Sequence, residues 1–192
     1  MNDSIIQGIK ERVSTAIKAN STIGIQVPEA RHADLIQSIV TLMKANSNDH
    51  WTFVTVNNTH NTLQTQYPEL KDLQNLHLID CISTYAGIIE PDTATCTYID
   101  SPTMLETITL EALHSYQQTT PQQEKFLLID SLSAFALHNN PGLMKKFMAL
   151  LVNRARSDNV HVVTIVIEEE NTTNSLLQLN EKIIVLRDSF IG

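Results

Sequence analysis

The chain has 192 residues, 42% of them hydrophobic, enough for one globular domain (1–192) with a full core. Its formal net charge of −8 argues against a general nucleic-acid binder, which needs surplus Lys and Arg to displace counterions from phosphates. The longest apolar runs, such as VVTIVI at 162–167, are far too short to cross a bilayer, so no membrane association is expected.

In chain order, DSIIQGIKERVSTAIKAN (3–20) comes first and places Ile5, Ile6, Ile9, Val13 and Ile17 on one helical stripe. Such a helix either packs on its own domain or serves as an arm for a partner. The opening MNDSIIQGIK has neither a basic leader nor a long apolar core, so no signal peptide and a cytoplasmic location are expected. Strands are predicted at 22–27, 51–56, 76–80, 95–100, 126–130, 160–167 and 182–186, several of them apolar almost throughout. Uninterrupted apolar strands are covered on both faces. Helices are predicted between them at about 29–45, 59–66, 102–117, 141–157 and 172–180. Asp100 or Ser101 can cap the helix from Pro102, and Asn139 or Asn140 the helix from Pro141. Alternation of strand and helix predicts an α/β fold, a three-layer sandwich with a central, mostly parallel sheet flanked by helices. The stretch 81–94 shows no clear helix, so strands 76–80 and 95–100 are not expected to be parallel neighbours.

The strand at 126–130 ends in an acid and a hydroxyl, within KFLLIDSLSAF. That pattern matches a Walker B strand, whose Asp holds Mg²⁺ against nucleotide phosphates. Its partner would be a glycine-rich loop of the form GxxxxGK[ST] after the first strand. TIGIQV is followed instead by PEARHADLIQSIV, with no glycine, no lysine and no hydroxyl where the loop needs one. Pro28 starts a helix at once, and Glu29 occupies the first turn, where the helix dipole would otherwise attract an anion. The expectation is a tight, negatively charged corner that repels phosphate.

Asp130 then has two readings: a Mg²⁺ ligand, or a cap on backbone N–H groups of a turn or helix start, which is the expectation. Asp80, Asp100 and Glu168 also end apolar strands. In a parallel sheet these four carboxylates share one edge, either as separate caps or, in part, as oxygen ligands of a divalent cation. No bound metal or cofactor is expected; Asp80, Asp100, Asp130 and Glu168 are the candidate metal residues, and Asp130 and Ser131 the candidate cofactor-binding ones.

The series IQVP, FVTVNNTHNTLQ, LHLIDCIS, CTYIDSPTML, EKFLLIDSLSAF and LVNRARSDNVHVVTIVIEEE resembles the archaeal KaiC-like, RecA-superfamily ATPase-related proteins, in the short group without a Walker A loop. The similarity runs from about 22 to 187. It implies a RecA-like core in which Asp130 matches the acid that helps position Mg²⁺ in active relatives. The loop lysine and hydroxyl have no counterparts, so ATPase activity does not carry over. The expected function is a pseudo-ATPase acting through a protein partner or as a homo-oligomer. The alternative is a regulatory nucleotide- or metal-binding protein using the strand-end carboxylates.

Other chemistry is sparse. The seven histidines include no i, i+4 pair for a metal. Ser131 and Ser133 have no visible base beside them and read as turn hydroxyls. Cys81 and Cys96 read as buried reduced thiols, and Asp80 beside Cys81 would raise a thiol pKa. Lys145, Lys146, Arg154 and Arg156 make 141–157 the most basic segment, either a solvated face over core packing or a subunit contact.

Overall fold

Every one of the apolar runs becomes a strand, because each can bury both faces only inside a sheet covered by helices. The computed structural model describes residues 3–117, 119–167 and 174–187. The strands are β1 (Thr22–Val27), β2 (His50–Thr55), β3 (Leu76–Asp80), β4 (Cys96–Tyr98), β5 (Lys125–Ile129), β6 (Val160–Ile167) and β7 (Lys182–Val185). They form one seven-stranded sheet in the order β4-β3-β2-β5-β6-β1-β7. All six pairings are parallel.

The helices are α1 (Asp3–Ala19), α2 (Glu29–Ala45), α3 (His60–Gln66), α4 (Leu105–His114), α5 (Leu132–His138), α6 (Pro141–Ser157) and α7 (Asn174–Leu177). Two hydrophobic clusters sandwich the sheet. One joins α1, α2 and α3 to inward residues such as Ile23, Ile25, Phe53 and Leu128. The other joins α4, α5, α6 and α7 to Val54, Ile79, Ile129 and Val162. The three-layer α/β sandwich is thus present. Ile9, Val13 and Ile17 of α1 are buried against this chain's own core, so the stripe is used at home rather than offered as an arm.

Several local expectations change. β3 and β4 are parallel neighbours, with Leu78, Ile79 and Asp80 in register with Cys96, Thr97 and Tyr98. Residues 81–95 have length enough for a crossover without a helix. Turns compact them, with Ala86 N–H bonded to the Ile82 carbonyl and Gly87 in the left-handed region at φ 83°. Pro102 does not open a helix: it sits in a turn closed by Met104 N–H on the Ser101 carbonyl, and α4 begins at Leu105. Helix α5 was not anticipated, being seven residues long and directly after a strand. Asn140 does cap α6, its Oδ1 accepting the Leu143 N–H at 2.8 Å.

Gly24 in β1 has a packing reason. A Cβ there would lie 2.7 Å from Cδ2 of Leu177 and 2.9 Å from Nδ2 of Asn180. Asn180 is itself tied to Thr164 and the Leu177 carbonyl, so α7 and the turn after it need a bare backbone at that point.

Candidate functional site

The chain leaves β2 toward β3 on one side of the sheet and leaves β5 toward β6 on the other. Neighbouring strands whose connections part in this way open a crevice at their carboxyl ends, the usual ligand position in open α/β sheets. A cavity of about 470 Å³ lies there, lined among others by Glu29, His32, Asn57, Asn58, Tyr67 and Asp130. Only Pro28 separates β1 from α2, leaving no length for a wrapping loop. The corner is nevertheless open rather than tight, because α3 and the residues after β2 stand off from the start of α2.

Asp130 is 1% exposed. Its Oδ1 accepts the Val56 N–H at 3.1 Å, so it caps the turn that follows the neighbouring strand. Its Oδ2 lies 2.8 Å from Oγ1 of Thr55. That same hydroxyl lies 2.6 Å from the Asn58 carbonyl oxygen. One hydroxyl hydrogen cannot serve two acceptors. The conflict disappears if Asp130 is the neutral acid: its own O–H donates to Thr55 Oγ1, and Thr55 donates to Asn58. Burial acts in the same direction, pushing the Asp130 carboxyl above the ordinary range against hydrogen bonds from Thr55, Val56 and Asn57 and the nearby His32. His32 donates from Nε2 to the Asp130 carbonyl at 3.2 Å.

Asp80 has another environment. Four donors face its buried carboxylate: the N–H groups of His60, Ile82 and Ser83 and the Ser83 hydroxyl, at 2.6–2.9 Å. It ties the start of α3 to the turn after its own strand. Asp100 is exposed and makes no hydrogen bond or ion pair among the described residues, so it caps nothing there. Glu168 lies outside the described residues. Ser131 is the N-cap of α5, its Oγ accepting the Ala134 N–H at 2.9 Å. Ser133 Oγ accepts the Ile167 N–H at 3.3 Å.

These residues do not suit Mg²⁺-nucleotide. A buried carboxyl whose oxygens are taken up by the Val56 N–H and the Thr55 hydroxyl is a poor ligand for a hard cation, and no backbone cradle or lysine stands at the start of α2. Glu29 occupies that turn. Among the described residues no group of three or more His, Cys, Asp or Glu is placed to hold a metal ion. His50, His77 and His114 do meet around a second cavity of about 530 Å³ at the amino edge. Burial lowers His50 to about 4, with His77 and Lys125 adding to the effect, so it stays neutral near pH 7. His77 is engaged by Thr97, and His161 donates from Nδ1 to the Asn20 carbonyl.

Both thiols are buried and unpaired. Burial pushes the Cys81 thiol well above its ordinary value, with Asp80 and Asp130 adding to the effect. It pushes Cys96 up to about 12. Neither is a poised nucleophile.

Sequence reasoning missed Thr55, His32, Asn57, Asn58 and Tyr67 as surroundings of Asp130. Two of them left a trace: His32 follows Glu29 by three residues on one helix face, and the Asn pair follows an apolar strand.

No family model matches the chain, and no match was found among curated proteins. Among solved structures, it is similar to the uncharacterized protein PH0321 from Pyrococcus horikoshii, crystallised in complex with an unknown peptide. The TM-score is 0.63 at 11% identity, covering 90% of this chain and 80% of the other. At that identity the likeness establishes a shared α/β fold.

No helix among the described residues is long and apolar enough to cross a membrane.

Proposed function

We infer that this chain is a non-catalytic, RecA/KaiC-like domain that works by binding protein, either a partner or another copy of itself. The observation that carries this reading is the engagement of both Asp130 oxygens within the chain. The acid that would hold Mg²⁺ in an active relative is buried, committed to Thr55 and Val56, and shifted by burial toward its neutral form. Support also comes from the replacement of a phosphate loop by Pro28 and Glu29. The Pyrococcus protein of similar fold was crystallised with a peptide, the ligand class this reading requires.

ATP turnover tests it. Wild-type protein and Asp130→Ala should both hydrolyse Mg-ATP at background rate. Turnover above background that disappears in Asp130→Ala overturns the reading.

One observation favours a second reading, a regulatory nucleotide- or metal-binding protein: the open cavity beside Glu29 and Asp130. Calorimetric titration with Mg-ATP, Mg-ADP and Mn²⁺ separates the two. Saturable heat from any of them, altered by Glu29→Gln, supports the second reading; silence from all three removes it.

A further inference from the structure

The outer surface of the α4 and α6 layer holds contacts that this chain leaves unmade. A groove of about 450 Å³ runs between the two helices, walled by Leu105, Thr109 and Leu110 on one side and Leu143, Phe147 and Leu150 on the other. Leu110 is 64% exposed, Leu143 50% and Leu150 61%. Single exposed leucines are ordinary, but these three border the same groove. Leu143 and Leu150 stand two turns apart with Lys146 between them, the spacing at which one helix meets another along a seam.

Charge selects the occupant. Glu106 on α4 and Lys146 on α6 line this groove, yet neither takes part in an ion pair among the described residues. The groove therefore has one acidic and one basic wall. A partner helix of uniform sign satisfies one wall and opposes the other. A two-fold related copy presents the same pair in exchanged positions, so that Glu106 of each copy meets Lys146 of the other.

We propose that the α4–α6 groove is a self-association surface in which a second copy of this chain docks about a two-fold axis. The apolar rims of the two copies close on each other, and the four helices form one layer between the two sheets. This rests on the protein-binding reading above and names its partner. The net charge of −8 opposes association at long range, but salt near 0.15 M screens charges beyond about 8 Å and leaves the close pairs effective.

Sedimentation velocity of the full chain in 0.15 M salt, from about 5 to 500 μM, reads the equilibrium directly. The expected result is a monomer–dimer equilibrium that Leu110→Asn with Leu150→Asn abolishes. Glu106→Lys and Lys146→Glu should each weaken the dimer by about tenfold or more. The double reversal should return it to within about threefold of wild type, because both reciprocal pairs are rebuilt. All substituted positions are solvent-exposed, and circular dichroism checks that each variant is folded. A chain that stays monomeric throughout overturns the proposal, as does a dimer indifferent to the leucine and charge variants. A monomer silent toward Mg-ATP would leave the non-catalytic reading standing, whereas ATP turnover lost in Asp130→Ala removes that reading whatever the association state.

Discussion

At the carboxyl edge of the sheet, Asp80 and Asp130 are buried and spend their oxygens on neighbouring backbone and hydroxyl groups. On the outer face of α4 and α6, Glu106 and Lys146 border exposed leucines and pair with nothing among the described residues. The edge looks functional in sequence because acids at strand ends are where α/β proteins keep their sites. Two of its acids, Asp80 and Asp130, are spent on contacts within the chain. The grouped exposed leucines, with an acid and a base unpaired among the described residues beside them, lie on the helical layer, which in sequence looks like ordinary amphipathic packing.

The contrast can be broken most severely at Asp80. Asp80→Ala strips four donors of their acceptor, and buried donors left unpaired cost about 1–3 kcal/mol each before relaxation. A loss of more than about 3 kcal/mol is expected in urea unfolding; a loss below about 1 kcal/mol would mean that the acid does not hold that edge together.

Asp130 sharpens the comparison through pH. Its folded pKa is raised above the ordinary 3.8, so the folded state holds the proton more tightly than the unfolded chain. That contribution to stability is complete below 3.8 and is lost as pH rises through the raised value. Asp130→Asn keeps a neutral group whose amide can donate to Thr55 while its oxygen accepts from Val56. The variant should therefore gain on wild type as pH is raised from 4 toward 8 in parallel urea titrations. A difference independent of pH would show that Asp130 is not held as the acid.

The smallest effect belongs to the groove. Below the dimerising concentration, Leu150→Asn should change unfolding stability by no more than about 0.5 kcal/mol, as for other exposed positions. A larger loss would assign Leu150 to the core rather than to a surface awaiting a partner.

The strands were legible because a strand covered on both faces must be apolar along its whole length, as in VHVVTIVI of β6. The cap of α6 was legible because Asn140 before Pro141 is a local signal. Pro102 carried the same kind of signal and misled, since tertiary contact decided the outcome: Asn139 Nδ2 holds the Pro102 carbonyl, and the chain turns before α4 starts. Helix α5 gave too few residues for a period to be read. The parallel pairing of β3 with β4 was missed because the connection between them folds into turns, and turns leave no periodic mark.

By itself the sequence determined the α/β class, the order of its strands along the chain and the want of a phosphate loop. These follow from hydrophobic run lengths and from residue types at single positions. Tertiary structure alone decided that Thr55 would bring a rival acceptor to Asp130, that Asp80 would bind two separate turns, and that α4 and α6 would flank an open groove. Each of those outcomes joins residues far apart along the chain, whose distances are set by the packing of helices on the sheet and not by any local pattern.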